Sequence, residues 1–362
     1  MKEYMVYVGT YTNGESQSEG IYVYRFDLAN GDLTHLSTCR GIDDPSFLDY
    51  SPGRKFLYAV SEVDQINGIE GGGIAAFSID QATGGLTFLN MESTHGAYPC
   101  HVQLDKSAKY VLAANYMGGN IAVFPRLDNG KVGPACDVVQ LTVFSNVNPE
   151  RQEAPHAHSG NFSPDNKWVY VANLGADKVM IYGMDLEQGK LIPASKSYVD
   201  ISPGEGPRHW DFHPNGRWAY LINELGNTIN SYDYNPEDGS LTAINTVKTL
   251  PKDFDEWSNT ADIHVHPNGK FVYGTNRGHD SLVMCEVDQA TGALTVLGYQ
   301  PTGGSYPRNF GIDPTGTFLL VANRDTNDIT TFFIDRDSGL LLPNGQVTTV
   351  PQPVCIRFMA IG

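Results

Sequence analysis

Residues 206–226 read GPRHWDFHPNGRWAYLINELG, and the fold follows from how this stretch divides. Trp210, Phe212 and His213 lead into Pro214-Asn215-Gly216, a tight-turn signal between two strands. After the turn, residues 218–222 (WAYLI) form a near-continuous apolar strand, the composition expected when both faces are covered by neighbouring layers. A third strand reads at 229–234, and Pro236-Glu237-Asp238-Gly239 turns the chain into a short fourth strand at 241–244. Four antiparallel strands in about fifty residues describe a β-propeller blade.

The same pattern recurs along the chain. Units begin at Pro45 (PSFLDYSPGRKFLYAVSEV), Pro99 (PCHVQLDKSAKYVLAANYM), Pro155, Pro207, Ala261 and Pro307, spaced 54, 56, 52, 54 and 46 residues apart. That is a supersecondary period. The two ends supply one more unit. Residues 353–358 (PVCIRF) read as a first strand with nothing after it, while 4–10, 20–24 and 31–34 read as three strands with nothing before them. Joined, they predict an all-β, seven-bladed β-propeller of four-stranded antiparallel blades, closed by pairing the C-terminal strand with the N-terminal segment. An open ring would expose two bare sheet edges. Insertions fall at 64–73 and 147–154, no linker is visible, and residues 1–362 are expected to form one domain.

Composition narrows the function. A formal net charge of -17 argues against nucleic acid or an anionic membrane surface as partner. A local arginine cluster inside that acidic shell remains compatible with a small anionic substrate. Cys39, Cys100, Cys136, Cys285 and Cys355 are scattered without CxxC spacing, so free thiols in a reducing compartment are expected. The opening MKEYMVYVGTYTNG is already an alternating strand, and no apolar run is long enough to span a bilayer. A cytoplasmic monomer or weak dimer is the expectation.

Blade geometry then predicts which side chains meet. The loop entering the first strand and the loop leaving the second lie on one face of the disk in every blade. The entering loops carry His101, His156, His158, Arg208, His209, Arg308 and Asn309; the leaving loops carry Tyr116, Asn173, Asn223, Glu224, Asn276, Arg277, His279, Asn323 and Arg324. Singly, such residues often cap strand ends or bridge blades. Together they form a concave cluster of ionisable groups, the usual setting of binding or catalysis. There is no GxSxG elbow, and His156-x-His158 has no carboxylate partner at metal-ligand spacing, so neither a covalent nucleophile nor a metal or other cofactor is expected. What remains is proton transfer by a general base, with arginine holding a carboxylate, phosphate or developing oxyanion.

At these residues the chain resembles the seven-bladed propeller lactonases, a family that includes propeller-type 6-phosphogluconolactonases and the carboxy-muconate lactonizing enzyme. The resemblance is carried by HAH at His156, GPRH…FHPNGRWAYLINEL from Gly206, NRGHDS from Asn276 and GGSYPRNFGIDPTGTFLLVANRD from Gly303, and runs from Tyr7 to Phe358. It implies metal-free hydrolysis of 6-phospho-glucono-1,5-lactone in the pentose phosphate pathway, with His158, Arg208, Glu224 and Arg277 as catalytic positions. Arg208 and Arg277 are expected to bind phosphate and polarise the lactone carbonyl, and either Glu224 or His158 to activate water. His101, His156, His209, Asn276, His279 and Arg308 are expected to complete substrate binding. Asn173 departs from the aspartate common in relatives. A lactonase or lactonizing isomerase for another sugar or muconate lactone, and a non-catalytic binding propeller, stay open.

Overall fold

A computed structural model describes residues 3–66 and 68–361. Residues 1, 2, 67 and 362 lie outside the described residues, and with them both ends of the expected domain and one position of the insertion at 64–73. The described residues form seven four-stranded antiparallel sheets, beside a small hairpin of Gln65–Ile66 with Ile69–Glu70. Blades one to six start at innermost strands Leu48–Tyr50, Pro99–Leu104, Ala157–Phe162, Pro207–Phe212, Asn259–Val265 and Pro307–Ile312. Each packs against the innermost strand of the next blade, and the round closes through Pro353–Ile361 onto Leu48–Tyr50. Blade seven is the expected clasp: Pro353–Ile361, Glu3–Thr10, Ile21–Phe26 and Leu33–Cys39 in that order, with Tyr4 opposite Ala360 and Val8 opposite Ile356. The fourth strand of blade four runs longer than its apolar segment suggests, over Leu241–Lys248.

The second strand of each blade is the core. In blade four all six residues of Trp218–Asn223 are buried, because neighbouring blades cover both faces. One tie recurs between blades. Tyr7, Tyr58, Tyr170, Tyr220 and Tyr273, each on a second strand, donate their hydroxyls to the carbonyls of Gly84, Gly130, Gly239, Gly292 and Gly339 in the next blade. This explains the recurring TG-type turns. At Gly292 the backbone is left-handed (φ 78°) and a Cβ would lie 2.6 Å from the Trp218 ring, so only glycine brings its carbonyl within reach of Tyr220. The pattern crosses the seam through Tyr7 and Gly84, so the assembled blade is locked like the others.

Candidate active site

A β-bulge at the start of the innermost strands positions the site. Register shifts between Pro99 and His101, Ala157 and Ser159, Pro207 and His209, and Pro307 and Asn309 leave Cys100, His158, Arg208 and Arg308 as extra residues. Such a bulge re-aims a side chain out of the ladder, here toward the propeller axis. A second ring comes from the residue following the second strand in blades seven, one, two and four, Tyr11, Glu62, Tyr116 and Glu224, with Arg277 ending its own strand in blade five. The two rings apart from Arg208, with Arg151 and Trp257 from longer loops, Asn259 from the start of its innermost strand and Tyr306 from an entering turn, line a cavity of about 360 Å³.

Glu224 is the anchor of one wall. Its carboxylate, 2% exposed, accepts from Arg208 Nε at 2.8 Å and Arg151 Nη2 at 2.6 Å, and lies 3.2 Å from Arg277 Nη2. Burial alone would raise its pKa, but Arg277, Arg208 and Arg151 hold it well below the usual carboxylate range. Burial and Arg277 pull Arg208 down to about 10, which leaves it charged at neutral pH. His158 Nε2 is 3.7 Å from Glu224, and burial with Arg208 keeps the imidazole neutral by lowering its pKa well below the usual value. Across the cavity, Glu62 accepts from the Tyr11 hydroxyl at 3.0 Å and from Ser46 Oγ, with Arg308 Nη2 3.8 Å away. Burial raises the Glu62 pKa above the ordinary value despite Arg308. Tyr306 sits in a left-handed turn (φ 60°) beneath Arg324, 3.6 Å from its ring; burial raises its pKa, but Arg277, Arg308 and Arg324 outweigh that and lower it.

Of the residues expected at the mouth, His158, Glu224, Arg277 and Arg308 line this cavity, with Tyr116. Arg208 lies just beneath, joined to Glu224 and to the Ala261 carbonyl. The remaining expected substrate-binding residues are placed elsewhere. His101 and His209 point one layer deeper, where their rings and Phe47 pack within 4.5–5.5 Å and floor the cavity. Asn276 is fully buried and donates to Thr249 O and Ser281 Oγ, a strand-end role. His279 packs edge-on against Phe254 and bonds Ser281 Oγ. His156 stacks on Tyr116 at 4.4 Å and bonds the Tyr116 carbonyl and Glu153, so it orients Tyr116 from behind. Asn173 accepts from His156 N and donates to Val143 O, so the departure from aspartate falls on a loop brace outside the cavity.

No activated nucleophile faces the cavity among the described residues. Cys100 Sγ lies 3.6 Å from His158 Nδ1, but burial pushes its thiol up, and Ser159 Oγ is engaged by the Arg208 carbonyl at 2.7 Å. Nor is there, among the described residues, a group of three or more His, Cys, Asp or Glu side chains arranged to hold a metal ion. The cations are guanidiniums. Arg151, Arg277 and Arg308 line the cavity with Glu62 and Glu224, and Arg208 pairs with Glu224 from beneath, a surplus of positive charge suited to an anion.

Below the floor a second cavity of about 210 Å³ holds His264 between Asp262 Oδ2, at 3.0 Å, and Asp211 Oδ2, at 3.7 Å. Burial works against the imidazolium, but Asp262 and Asp211 push its pKa up to about 9, above the unfolded 6.5. A raised folded pKa gives stability that is full below pH 6.5 and lost as pH rises through 9. The melting-temperature gap between wild type and His264→Gln is therefore expected to be widest at pH 6 and to close by about pH 10. A gap constant across that range would remove the ion-pair account.

The sequence profile of the lactonase seven-bladed β-propeller family matches residues 5–358. The chain is 37% identical to a 6-phosphogluconolactonase of Bacillus subtilis, over 99% of both chains. It is 36% identical to a 6-phosphogluconolactonase of Formosa agariphila, over 93% of this chain and 94% of that one. The structure superposes on the periplasmic gluconolactonase of Pseudomonas aeruginosa with a TM-score of 0.93 at 33% identity, covering 99% of this chain and all of that one. With matches spanning all seven blades, the chain belongs to the seven-bladed β-propeller lactonase family.

Proposed function

We propose that the chain is a lactonase that hydrolyses 6-phospho-glucono-1,5-lactone to 6-phosphogluconate, the lactone-opening step of the pentose phosphate pathway. The observation that carries this reading is the cavity where three guanidiniums, with Arg208 just beneath, meet two carboxylates and, among the described residues, no activated nucleophile. That set suits direct attack by water on an activated ester, with arginine stabilising the tetrahedral oxyanion. The full-length likeness to 6-phosphogluconolactonases supports the phosphorylated substrate, and the cationic surplus suits a phosphate dianion. His158, Arg208, Glu224 and Arg277 remain the proposed catalytic wall. Glu224 and Arg208 act chiefly through the array they hold together, while Arg277 and His158 meet substrate. We further read the chain as one domain and, from its five free cysteines, as a cytoplasmic protein.

The test is a panel of 6-phospho-glucono-1,5-lactone, glucono-1,5-lactone and a muconolactone, with proton release followed against spontaneous hydrolysis. The phosphorylated lactone is expected to show a kcat/KM at least about tenfold above the others, or roughly 1.4 kcal/mol of added transition-state binding. Activity is expected to survive EDTA, because guanidiniums do the work of a Lewis acid here. Equal or better turnover of glucono-1,5-lactone would favour the second reading, suggested by the gluconolactonase neighbour. No turnover of any lactone would leave a binding propeller.

A further inference from the structure

We propose that Glu62, rather than Glu224, is the carboxylate that activates water in this site, an inference that rests on the lactonase reading above. Two carboxylates face the cavity, from blades one and four, and their surroundings differ in kind. Glu224 is met by Arg208, Arg151 and Arg277 within 2.6–3.2 Å, which occupies its lone pairs and suppresses its basicity. Glu62 is held by neutral donors, the hydroxyls of Tyr11 and Ser46, and its guanidinium neighbour Arg308 stands off at 3.8 Å, outside hydrogen-bond range. Its side chain is 12% exposed, so water reaches it only through the cavity. The charged and titratable groups around it are Arg308 and Tyr11 from blades six and seven, Asp44 from its own entering turn, and Cys100 from blade two. Of these, only Arg308 is a cation.

Environments that push two carboxylates apart assign their roles. Burial raises the Glu62 pKa above its ordinary value and so makes it the stronger base, while the arginines fix Glu224 as a permanent anion. In the proposed step Glu62 takes a proton from water as the water oxygen bonds to the lactone carbonyl carbon, and the carbonyl pair moves onto its oxygen. That oxyanion faces Arg277, Arg308 and the acidified hydroxyl of Tyr306. The intermediate then collapses: the bond from the carbonyl carbon to the ring oxygen breaks, and the ring oxygen leaves with the proton held by Glu62. One lactone and one water become one hydroxy acid, and Glu62 returns to its ionised form.

The test compares wild type, Glu62→Gln and Glu62→Asp on 6-phospho-glucono-1,5-lactone across pH, with melting temperatures recorded for each. Wild-type turnover alone tests the lactonase reading. Given that turnover, wild-type kcat/KM is expected to fall as pH drops through the raised Glu62 pKa. Glu62→Gln is expected to lower kcat about 100-fold or more with KM within about threefold, and to lose that acid limb. Glu62→Asp is expected to recover part of kcat and to move the limb, which keeps the idea testable if the glutamine variant does not fold. Wild-type kcat in Glu62→Gln, an acid limb that persists in it, or a limb unmoved in Glu62→Asp would each overturn the assignment.

Discussion

A chain ending at residue 352 is expected to accumulate as insoluble protein, with no cooperative melting transition in whatever fraction stays soluble. The lost segment is the innermost strand of blade seven, paired along its length with Glu3–Thr10. Val354, Ile356, Phe358 and Met359 are buried in it, at 2%, 1%, 7% and 0% exposure. Each such side chain is worth about 1.5–3 kcal/mol on burial. Together they reach the whole stability of an ordinary domain, about 5–15 kcal/mol. The strand is also pinned from both sides, by Ile356 N donating to Asn309 Oδ1 in blade six and Arg357 Nε donating to Leu48 O in blade one. Removing it opens the innermost ring and bares an apolar strand edge. Solubility and thermal unfolding of the truncated chain check this, and a soluble product with the wild-type melting temperature would show that closure contributes little.

That clasp was legible because a repeat leaves its phase in the sequence: a lone first strand at one end and three strands at the other. Direction and depth of side chains were harder to read. His209 and Arg208 are consecutive, and loop position alone puts both at the mouth. The bulge separates them, sending Arg208 to Glu224 and His209 to Asp262 one layer down. His156, Asn276 and His279 are placed away from the cavity for a different reason. Their positions are right for the face, but their polar atoms are taken by neighbouring loops, and sequence carries no record of partners so far apart in the chain. Arg151 and Trp257 sit in insertions with no counterpart in other blades, so no repeat argument points to them. Tyr11 and Glu62 had a signal. Both follow a second strand, as Glu224 does, and aligning the incomplete N-terminal unit and blade one with blade four points to Tyr11 and Glu62 respectively.

Replacing Glu224 by glutamine tests the opposite wall of the site, and its expected effect reaches both stability and catalysis. The substitution keeps shape but removes the carboxylate charge that Arg208, Arg277 and Arg151 share. Arg208 and Arg277 are 1% and 3% exposed, so water cannot take over their solvation. Breaking a buried pair from one side costs about 3–5 kcal/mol, because the remaining charge stays desolvated. A clear drop in melting temperature is therefore expected, and Glu224→Gln with Arg208→Gln should recover stability without recovering activity, since the second change removes one stranded cation. Catalysis should fall on the order of 100-fold or more in kcat/KM, the scale of losing one oriented oxyanion donor. KM should rise along with the fall in kcat, because repelling guanidiniums no longer converge on the anionic substrate. The pH profile separates this positioning role from that of a base. With Glu62 as the base, Glu224→Gln keeps the acid limb of kcat/KM while Glu62→Gln loses it. If Glu224 were the base, the limb would vanish in Glu224→Gln, KM would hold steady, and the roles of the two carboxylates would exchange.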